Sequence, residues 1–479
     1  MQHTQLCSVG IDIGTSTTQL IFSRLGVENT AGYFSIPRAE IVEKKVFYRS
    51  PIMDTPLVDD RHIDGAALRR LIEQAYADAG VVPTQVQTGA VVITGETARR
   101  ENARTVLEQI SSLAGDFVVS TAGPDLESIL AGQGSSAQQY SRDHNTVVAN
   151  LDIGGGTTNI AVFDGGSVIA CGCLDIGGRQ VSLTADGKIR AVCNGARQIA
   201  QALQLPVIPG QPADPDALTL LCSKMNELLE QLLGLMPPSD LLERLATPGS
   251  TPFSLPAHRP IRFLSFSGGV ADCILRPPPD PFTYHDIGVL LGNEIRRGRL
   301  FGRFQILSAA ETIGATVVGA GTYTTRLSGS TIAYDSGLFP LKNIPVLRLS
   351  AEQESALSAG NDRVLREQAV WFMQQNDCPL FLLALEGPAD PTYTQLDTLA
   401  SAIAAGLSEA LPEGQPLLVL SHRDIAKALG QLMRQKAGSR PVVAIDGIEI
   451  GSGQFIDLGM PVLNGMAVPA IVKTLIFES

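Results

Sequence analysis

The sequence predicts an α/β protein with two related lobes and a third α/β lobe at the C-terminal end. The phrase DIGTSTTQLIF begins at Asp12 and DIGGGTTNIAVF begins at Asp152, and each lies between strand-like segments. Strand-like and helix-like segments also alternate along the whole chain, which favours a mixed or parallel sheet packed against helices. We therefore expect lobes at 1–145, 146–326 and 327–479.

The first lobe is predicted to begin with two strands joined by a tight turn. Val9, Ile11 and Ile13 alternate with smaller residues, which places Asp12 near the end of the first strand. Further along, the pattern predicts a helix at 65–79 that ends at Gly80, a strand at 90–94 followed by a helix, and a last strand and helix in DFVVSTAG and DLESILAG.

The second lobe restarts this pattern, and the third continues it. Strands are predicted at 147–153 and 158–163, and Gly165-Gly166 forms the next turn. Helices are predicted at 181–185, 195–202 and 217–235, a strand in IRFLSFSGGVAD and a small-residue helix in ETIGATVVGAGTYTT. The third lobe has predicted helices at 396–411 and 425–436 and a β-rich tail.

Composition excludes several classes of partner. The 479 residues carry a formal charge of −12, whereas binding to nucleic acid or to an anionic membrane needs clustered Lys and Arg. No apolar run approaches the roughly 18 residues of a spanning helix, and the N-terminus shows no secretion signal, so we expect a cytosolic protein. The seven cysteines and six histidines lack metal-site spacing, and we interpret the cysteines as reduced structural thiols.

The repeated phrase predicts a site for phosphate and metal. Glycines at Gly14 and in Gly154–Gly156 let backbone N–H groups approach an anion, and the neighbouring threonines add hydroxyl groups. A carboxylate repels phosphate, but Asp12 and Asp152 can hold Mg²⁺ or its waters, which bridge to phosphate oxygens. Either aspartate also fits a simple turn-capping role. Two such hairpins across a cleft would clasp a metal–nucleotide ligand from both sides.

A third motif, FSGGVAD, places Ser267, Gly268 and Gly269 after a predicted strand, where glycines permit close approach of a flat adenosine. With its motifs in this order, the chain resembles the actin-like ATPase superfamily, which includes heat-shock 70 chaperones, actin and sugar kinases. The resemblance covers about residues 5–325. It implies the duplicated, ribonuclease H-like fold, with two lobes around a nucleotide cleft, helix 313–321 as a connecting helix, and ATP with Mg²⁺ as cofactors.

The resemblance also implies roles for individual residues. Asp12 and Asp152 would be the catalytic, metal-organising carboxylates. The predicted ligand-lining residues are Gly14, Thr15, Ser16, Thr17, Gly154, Gly155, Gly156, Thr157 and Thr158 at the phosphates, and Ser267, Gly268, Gly269, Gly177, Gly178 and Lys224 at the nucleoside. Lys224 equally fits an exposed helix face. Gly95, Glu96 and Arg99 fit either the border of the cleft or an ordinary helix start.

One position departs from the pattern of the chaperones. Gly123 stands where they carry a glutamate that positions the attacking water, although Asp125 and Glu127 are nearby. Both acids also fit a favourable charge at a helix N-terminus. The departure argues against fast hydrolysis and is compatible with a slow ATPase that acts as a switch.

A finer resemblance extends over the whole chain. ITGETAR, GATVVGAGTYTTRLSGSTI and the tail FIDLGMPV…VPAIVKTLIF are similar to ethanolamine ammonia-lyase reactivating factors. This implies a chaperone-like partner of ethanolamine ammonia-lyase that uses ATP to release damaged cobalamin, so that intact adenosylcobalamin can enter the lyase. It also implies a location in the cytoplasm or a bacterial microcompartment. The alternatives are a small-molecule kinase and a filament-forming ATPase, and no oligomeric state is indicated.

Overall fold

Three large β-sheets and a two-stranded ribbon form the framework of the computed structural model. The residues described are 3–14, 17–30, 39–59, 62–93, 102, 105–106, 110, 119–121, 124–247, 253, 259–323, 325–329, 331–376, 378–451 and 454–474. Among the helices in these ranges, none combines the length and the apolar character needed to cross a membrane. The predicted α/β class is confirmed.

The first sheet has the order β3-β2-β1-β5-β6, with β4 beside β2. Its elements are β1 (His3–Ile13), β2 (Thr17–Asn29), β3 (Ala39–Arg49), β4 (Met53–Asp54), helix α1 (Gly65–Ala79), β5 (Thr88–Ile93) and β6 (Val119–Thr121). β1, β2 and β3 are antiparallel, whereas β5 and β6 run parallel to β1. Helix α1 matches its predicted bounds, buries Leu68 and Ile72 against this sheet, and ends at Gly80 in a left-handed conformation.

The second sheet repeats this order as β9-β8-β7-β12-β13. The elements of this region, in chain order, are α2 (Pro124–Gly134), α3 (Ala137–Asp143), β7 (Val147–Ile153), β8 (Thr158–Asp164), β9 (Ser167–Leu174), β10 (Val181–Leu183), β11 (Ile189–Val192), α4 (Asn194–Leu203), α5 (Pro215–Leu232), α6 (Asp240–Arg244), β12 (Phe263–Ser267), α7 (Gly269–Leu275), α8 (Gly288–Arg297), α9 (Leu300–Arg303), β13 (Gln305–Leu307) and α10 (Ala315–Tyr323). Again, three antiparallel strands precede two parallel ones. The duplication inferred from the repeated phrase therefore extends to the topology of both sheets.

The predicted helix at 181–185 is wrong. Val181–Leu183 is strand β10, which pairs antiparallel with β11. Val181 and Leu183 are buried while Ser182 between them is half-buried, so the apolar residues repeat every two positions, as in a strand. The segment is too short for its helical and strand periods to be distinguished in the sequence.

Helices α2 and α10 each pack on the sheet of the other half. Helix α2 lies on β7, β8 and β9, where the Ser128 hydroxyl donates to the Gly172 carbonyl over 3.2 Å. Helix α10 lies on β1, β2 and β5, where the Ser8 hydroxyl donates to the carbonyl of Gly321. The predicted connecting helix is thus confirmed, and the two halves share their helices.

The two helices cross at very short range. A Cβ atom at Gly319 would lie 2.0 Å from the carbonyl oxygen of Leu130, and one at Gly134 would lie 1.9 Å from that of Ala315. Both distances are far below van der Waals contact, so only glycine permits this crossing.

The third sheet has the order β14-β21-β20-β16-β17-β18-β19-β15, in which β16 to β19 run parallel. Its elements are β14 (Thr325–Leu327), β15 (Ala333–Tyr334), β16 (Leu341–Arg348), α11 (Ala351–Ser358), α12 (Asp362–Asn376), β17 (Leu382–Leu385), α13 (Tyr393–Ala410), β18 (Leu417–Ser421), α14 (Ala426–Lys436), β19 (Val442–Asp446), β20 (Gln454–Leu458) and β21 (Pro469–Thr474). Leu6 and Leu25 of the first sheet share an apolar cluster with Val462 and Leu463. The three lobe boundaries stay a prediction.

The helix crossing gives a direct test of the fold. We expect Gly319→Ala to lower the free energy of unfolding by at least about 1 kcal/mol, because the added methyl group must push the helices apart. The matched control is Gly302→Ala in helix α9, where a Cβ would meet nothing within 4 Å. Urea unfolding of both variants measures the difference, and equal stability of the two would contradict the close crossing.

Candidate functional site

The two repeated phrases form the same hairpin turn. The Gly14 N–H donates to the Thr17 carbonyl over 2.9 Å, and the Gly154 N–H donates to the Thr157 carbonyl over the same distance. In register, Asp12 faces Gln19 and Asp152 faces Asn159. Thr15 and Ser16 lie outside the described residues. The N–H groups of Gly14 and Gly154 form hydrogen bonds within their own turns. Neither of them is therefore available to bind a phosphate.

The loop of the second hairpin is held by residues 178–180. The Gly154 carbonyl accepts from the Gly178 N–H over 3.0 Å, and the Gly155 carbonyl accepts from the Arg179 N–H over 2.7 Å. The Gln180 side-chain amide donates to the Gly156 carbonyl over 2.5 Å. Three successive carbonyls of the loop are therefore hydrogen-bonded on one side. The N–H groups of Gly155 and Gly156 donate to no described residue and are available to an anion.

Asp152 lies at the centre of a buried hydrogen-bond network. Its side chain, only 6% exposed, accepts a 2.6 Å hydrogen bond from the Ser267 hydroxyl and a further bond from the side chain of Asn159. The Asn150 amide donates to Ser267 over 2.9 Å. Strands β8, β7 and β12 are neighbours, with Asn159 and Ser267 in register on either side of Asp152. The sheet therefore assembles this network at its carboxyl-terminal edge.

The network fits a cation. Burial raises the pKa of Asp152 to about 6, and the hydrogen bonds from Ser267 and Asn159 offset only part of this rise. The side-chain oxygens of Asn150 and Asn159 are buried and have no hydrogen-bond partner among the described residues. Carboxylate and amide oxygens are ligands that Mg²⁺ prefers, directly or through water. No cluster of three or more His, Cys, Asp or Glu capable of holding a metal occurs in the described residues.

The predicted adenosine turn packs directly on the second hairpin. Gly268 has a positive φ of 83°, and a Cβ there would lie 2.4 Å from the Ile153 carbonyl, so the position requires glycine. The hydroxyl of Ser267 donates to Asp152, a contact that the sequence did not predict. Gly269 begins helix α7, and a Cβ there would meet nothing within 4 Å.

Other predicted site residues are placed less directly. Thr158 is buried and its hydroxyl donates to the Ile176 carbonyl over 2.8 Å, so this group supports the hairpin. Lys224 forms a 2.7 Å ion pair with Glu227 on helix α5, and its contact with a nucleoside stays a prediction. Gly95, Glu96, Arg99 and Gly123 lie outside the described residues, whereas Asp125 and Glu127 lie in the first turn of α2.

One short segment touches both halves of the site. The Gly268 N–H donates to the Thr312 carbonyl over 3.0 Å. Two residues later, a Cβ at Gly314 would lie 3.4 Å from the side-chain oxygen of Gln19, the strand neighbour of Asp12. The segment that leads into α10 thus brings the first hairpin next to the adenosine turn.

Sequence reasoning missed three side chains of this site, Asn150, Asn159 and Gln180. Asn159 had a signal, because the first phrase carries an amide, Gln19, at the equivalent position. Asn150 and Gln180 act through contacts with residues that are distant in the chain or in another loop, which no local pattern encodes.

Two sheets of identical order, a phosphate-type hairpin in each and a pair of shared helices define the actin-like ATPase fold. The family model described as "Ethanolamine utilisation protein EutA" matches residues 4–478. The chain belongs to this family. It is 36% identical over 487 residues to the "Ethanolamine ammonia-lyase reactivase EutA" of Salmonella typhimurium and 35% identical over 480 residues to that of Escherichia coli K12. Both matches cover 100% of each chain.

Solved structures with detectable similarity are more distant. The Aquifex aeolicus PPX-GPPA enzyme is 14% identical, with a TM-score of 0.41, and covers 66% of this chain and 99% of its own. The ethanolamine utilization protein EutJ from Carboxydothermus hydrogenoformans is 14% identical, with a TM-score of 0.31, and covers 67% of this chain and 89% of its own.

The buried carboxylate makes a prediction about stability. Because the pKa of Asp152 is raised to about 6 on folding, the folded protein binds a proton more tightly than the unfolded chain. The cost of burying the charge is therefore fully present above about pH 6 and disappears towards pH 4. We expect Asp152→Asn to stabilise the protein by roughly 1 to 3 kcal/mol at pH 7.5 and to change little at pH 4.

Urea unfolding at several pH values measures this effect. The control is Glu413→Gln, an exposed carboxylate, for which we expect a change within about 0.5 kcal/mol. An Asp152→Asn variant that is less stable than the wild type at pH 7.5 would contradict the raised pKa.

Proposed function

We propose that this protein is an ATP-dependent reactivating factor for adenosylcobalamin-dependent ethanolamine ammonia-lyase. The observation that carries the proposal is the full-length match to two proteins named as ethanolamine ammonia-lyase reactivases. In this proposal the lyase, with cobalamin that has lost its adenosyl group, is the partner. The factor releases the damaged cobalamin so that intact adenosylcobalamin can bind to the lyase. This work would take place in the cytoplasm or in a bacterial microcompartment that contains the lyase.

The same proposal assigns ATP and Mg²⁺ to the site between the hairpins. Asp152 would hold the metal or its waters, together with the buried side-chain oxygens of Asn150 and Asn159, which have no hydrogen-bond partner in the described part of the chain. Bound Mg²⁺ would neutralise charge on the phosphates. The N–H groups of Gly155 and Gly156 would donate to phosphate oxygens. Asp12 occupies the equivalent position of the first hairpin and would complete the metal site from the other side.

Nucleotide binding supplies the switch that reactivation requires. A chaperone must hold its partner in one state and release it in another, and a ligand can bias two states only by binding them with different affinity. A nucleotide held by both hairpins favours the closed arrangement of the halves. Slow hydrolysis would then limit how long that arrangement lasts, so the protein would be a weak ATPase whose nucleotide state sets its affinity for the lyase.

Release of cobalamin from inactivated lyase tests the proposal. We expect the wild-type protein with ATP and Mg²⁺ to release cobalamin and restore lyase activity once adenosylcobalamin is added. Asp12→Asn and Asp152→Asn should reduce the release rate at least about tenfold, because each loses a charged metal contact. The matched control is Glu413→Gln, which leaves the hairpins unchanged. Full release by both hairpin variants would rule out a nucleotide switch.

The same preparations separate this function from the two alternatives. Ethanolamine and a panel of sugars are offered as phosphoryl acceptors in the absence of lyase, and acceptor-dependent formation of ADP would identify a kinase. Sedimentation with ATP, again without lyase, would reveal filaments. Either result, combined with no release of cobalamin, would overturn the proposed function.

A further inference from the structure

A polar cavity lies beside the segment that leads into α10. It has a volume of about 610 Å³ and is bounded by edge strand β3, by the end of helix α2 and helix α3, and by residues 310–318 at and before the start of α10. None of its described lining residues belongs to either hairpin or to the adenosine turn. Its volume lies within the range of small-molecule sites.

Charge distinguishes this cavity from the rest of the surface. Four cationic side chains line it, Lys44, Lys45, Arg49 and Arg142, against two acidic ones, Asp143 and Glu311. The chain as a whole carries a charge of −12, so a cationic cluster in a concave site is not a property of its average surface. One of the two acids is already used, since Glu311 pairs with Arg49.

The cations come from two different walls of the cavity. The surrounding protein and, to a smaller extent, the positive charge of Arg142 together lower the pKa of Lys44 to about 8, although part of this side chain stays exposed to solvent. Lys44 and Lys45 belong to β3, while Arg142 belongs to α3. Among the described residues, Lys45 and Arg142 form no ion pair. An anion between the walls would be attracted by both sides and would relieve the repulsion between Lys44 and Arg142.

We propose that this cavity binds a small polyanion carrying phosphate or carboxylate groups, at a site separate from the two hairpins. Its walls include the end of α2 and part of α10, the two helices shared between the halves, so the bound anion would contact both halves at once. The inference stands on the cavity and its charges and does not depend on the proposed reactivation of the lyase.

Isothermal titration calorimetry of the full chain tests this site, with inorganic pyrophosphate and citrate as probes, in the absence of Mg²⁺. We expect one of them to bind with an affinity that falls with added salt. A double variant, Lys45→Gln with Arg142→Gln, should weaken that binding at least about tenfold, because two charge-assisted contacts are lost. The control Arg190→Gln, at an exposed position on β11, should leave the affinity unchanged.

Two results would overturn the site. They are no binding of either probe to the wild type and equal affinity in the double variant. If neither small anion binds but a hexaglutamate peptide does, the cavity would be assigned to an acidic segment of a partner protein. Lys45→Arg keeps the charge and should retain affinity within about threefold, and a loss as large as that of the double variant would show that charge does not drive binding.

Discussion

The crossing of α2 and α10 is the constraint on which the two halves depend. Gly319 lies against the backbone of Leu130, and Gly134 against that of Ala315, so the helix axes approach as closely as backbone atoms allow. Each helix packs on the sheet of the other half. A rotation of one half must therefore pass through this contact, because packed interiors move between discrete arrangements and do not deform continuously. The hairpins and the cationic cavity both adjoin the segment that leads into α10.

The buried carboxyl group of Asp152 destabilises the folded protein when it is ionised. Burial opposes ionisation of its carboxyl group, and the hydrogen bonds from Ser267 and Asn159 compensate only in part. The side-chain oxygens of two neighbouring amides are buried and have no donor among the residues that the structure describes. A purely structural core would replace such groups with apolar ones, since unsatisfied polar atoms destabilise the folded state. Their grouping at the edge of one sheet supports the proposed cation site.

Much of this organisation can be predicted from the sequence, because it repeats. Aligning the two phrases that begin at Asp12 and Asp152 predicts both hairpins, their strand register and the duplication of the sheets. The prediction of a helix at 181–185 was wrong because a three-residue strand has too few positions to show the repeat of its apolar residues. The contact between Asn150 and Ser267 spans 117 residues, and only the folded sheet brings the two side chains together.

Hydrogen–deuterium exchange with and without Mg²⁺ and ATP tests most directly whether the second hairpin is a nucleotide site connected to the shared helices. Peptides that cover 152–160 and 315–323 are compared, with 393–410 of the third lobe as the reference. We expect nucleotide to slow exchange in the hairpin, where Gly155 and Gly156 would donate to phosphate, and to change exchange in α10 as well. Unchanged exchange in the hairpin at saturating nucleotide would contradict the account.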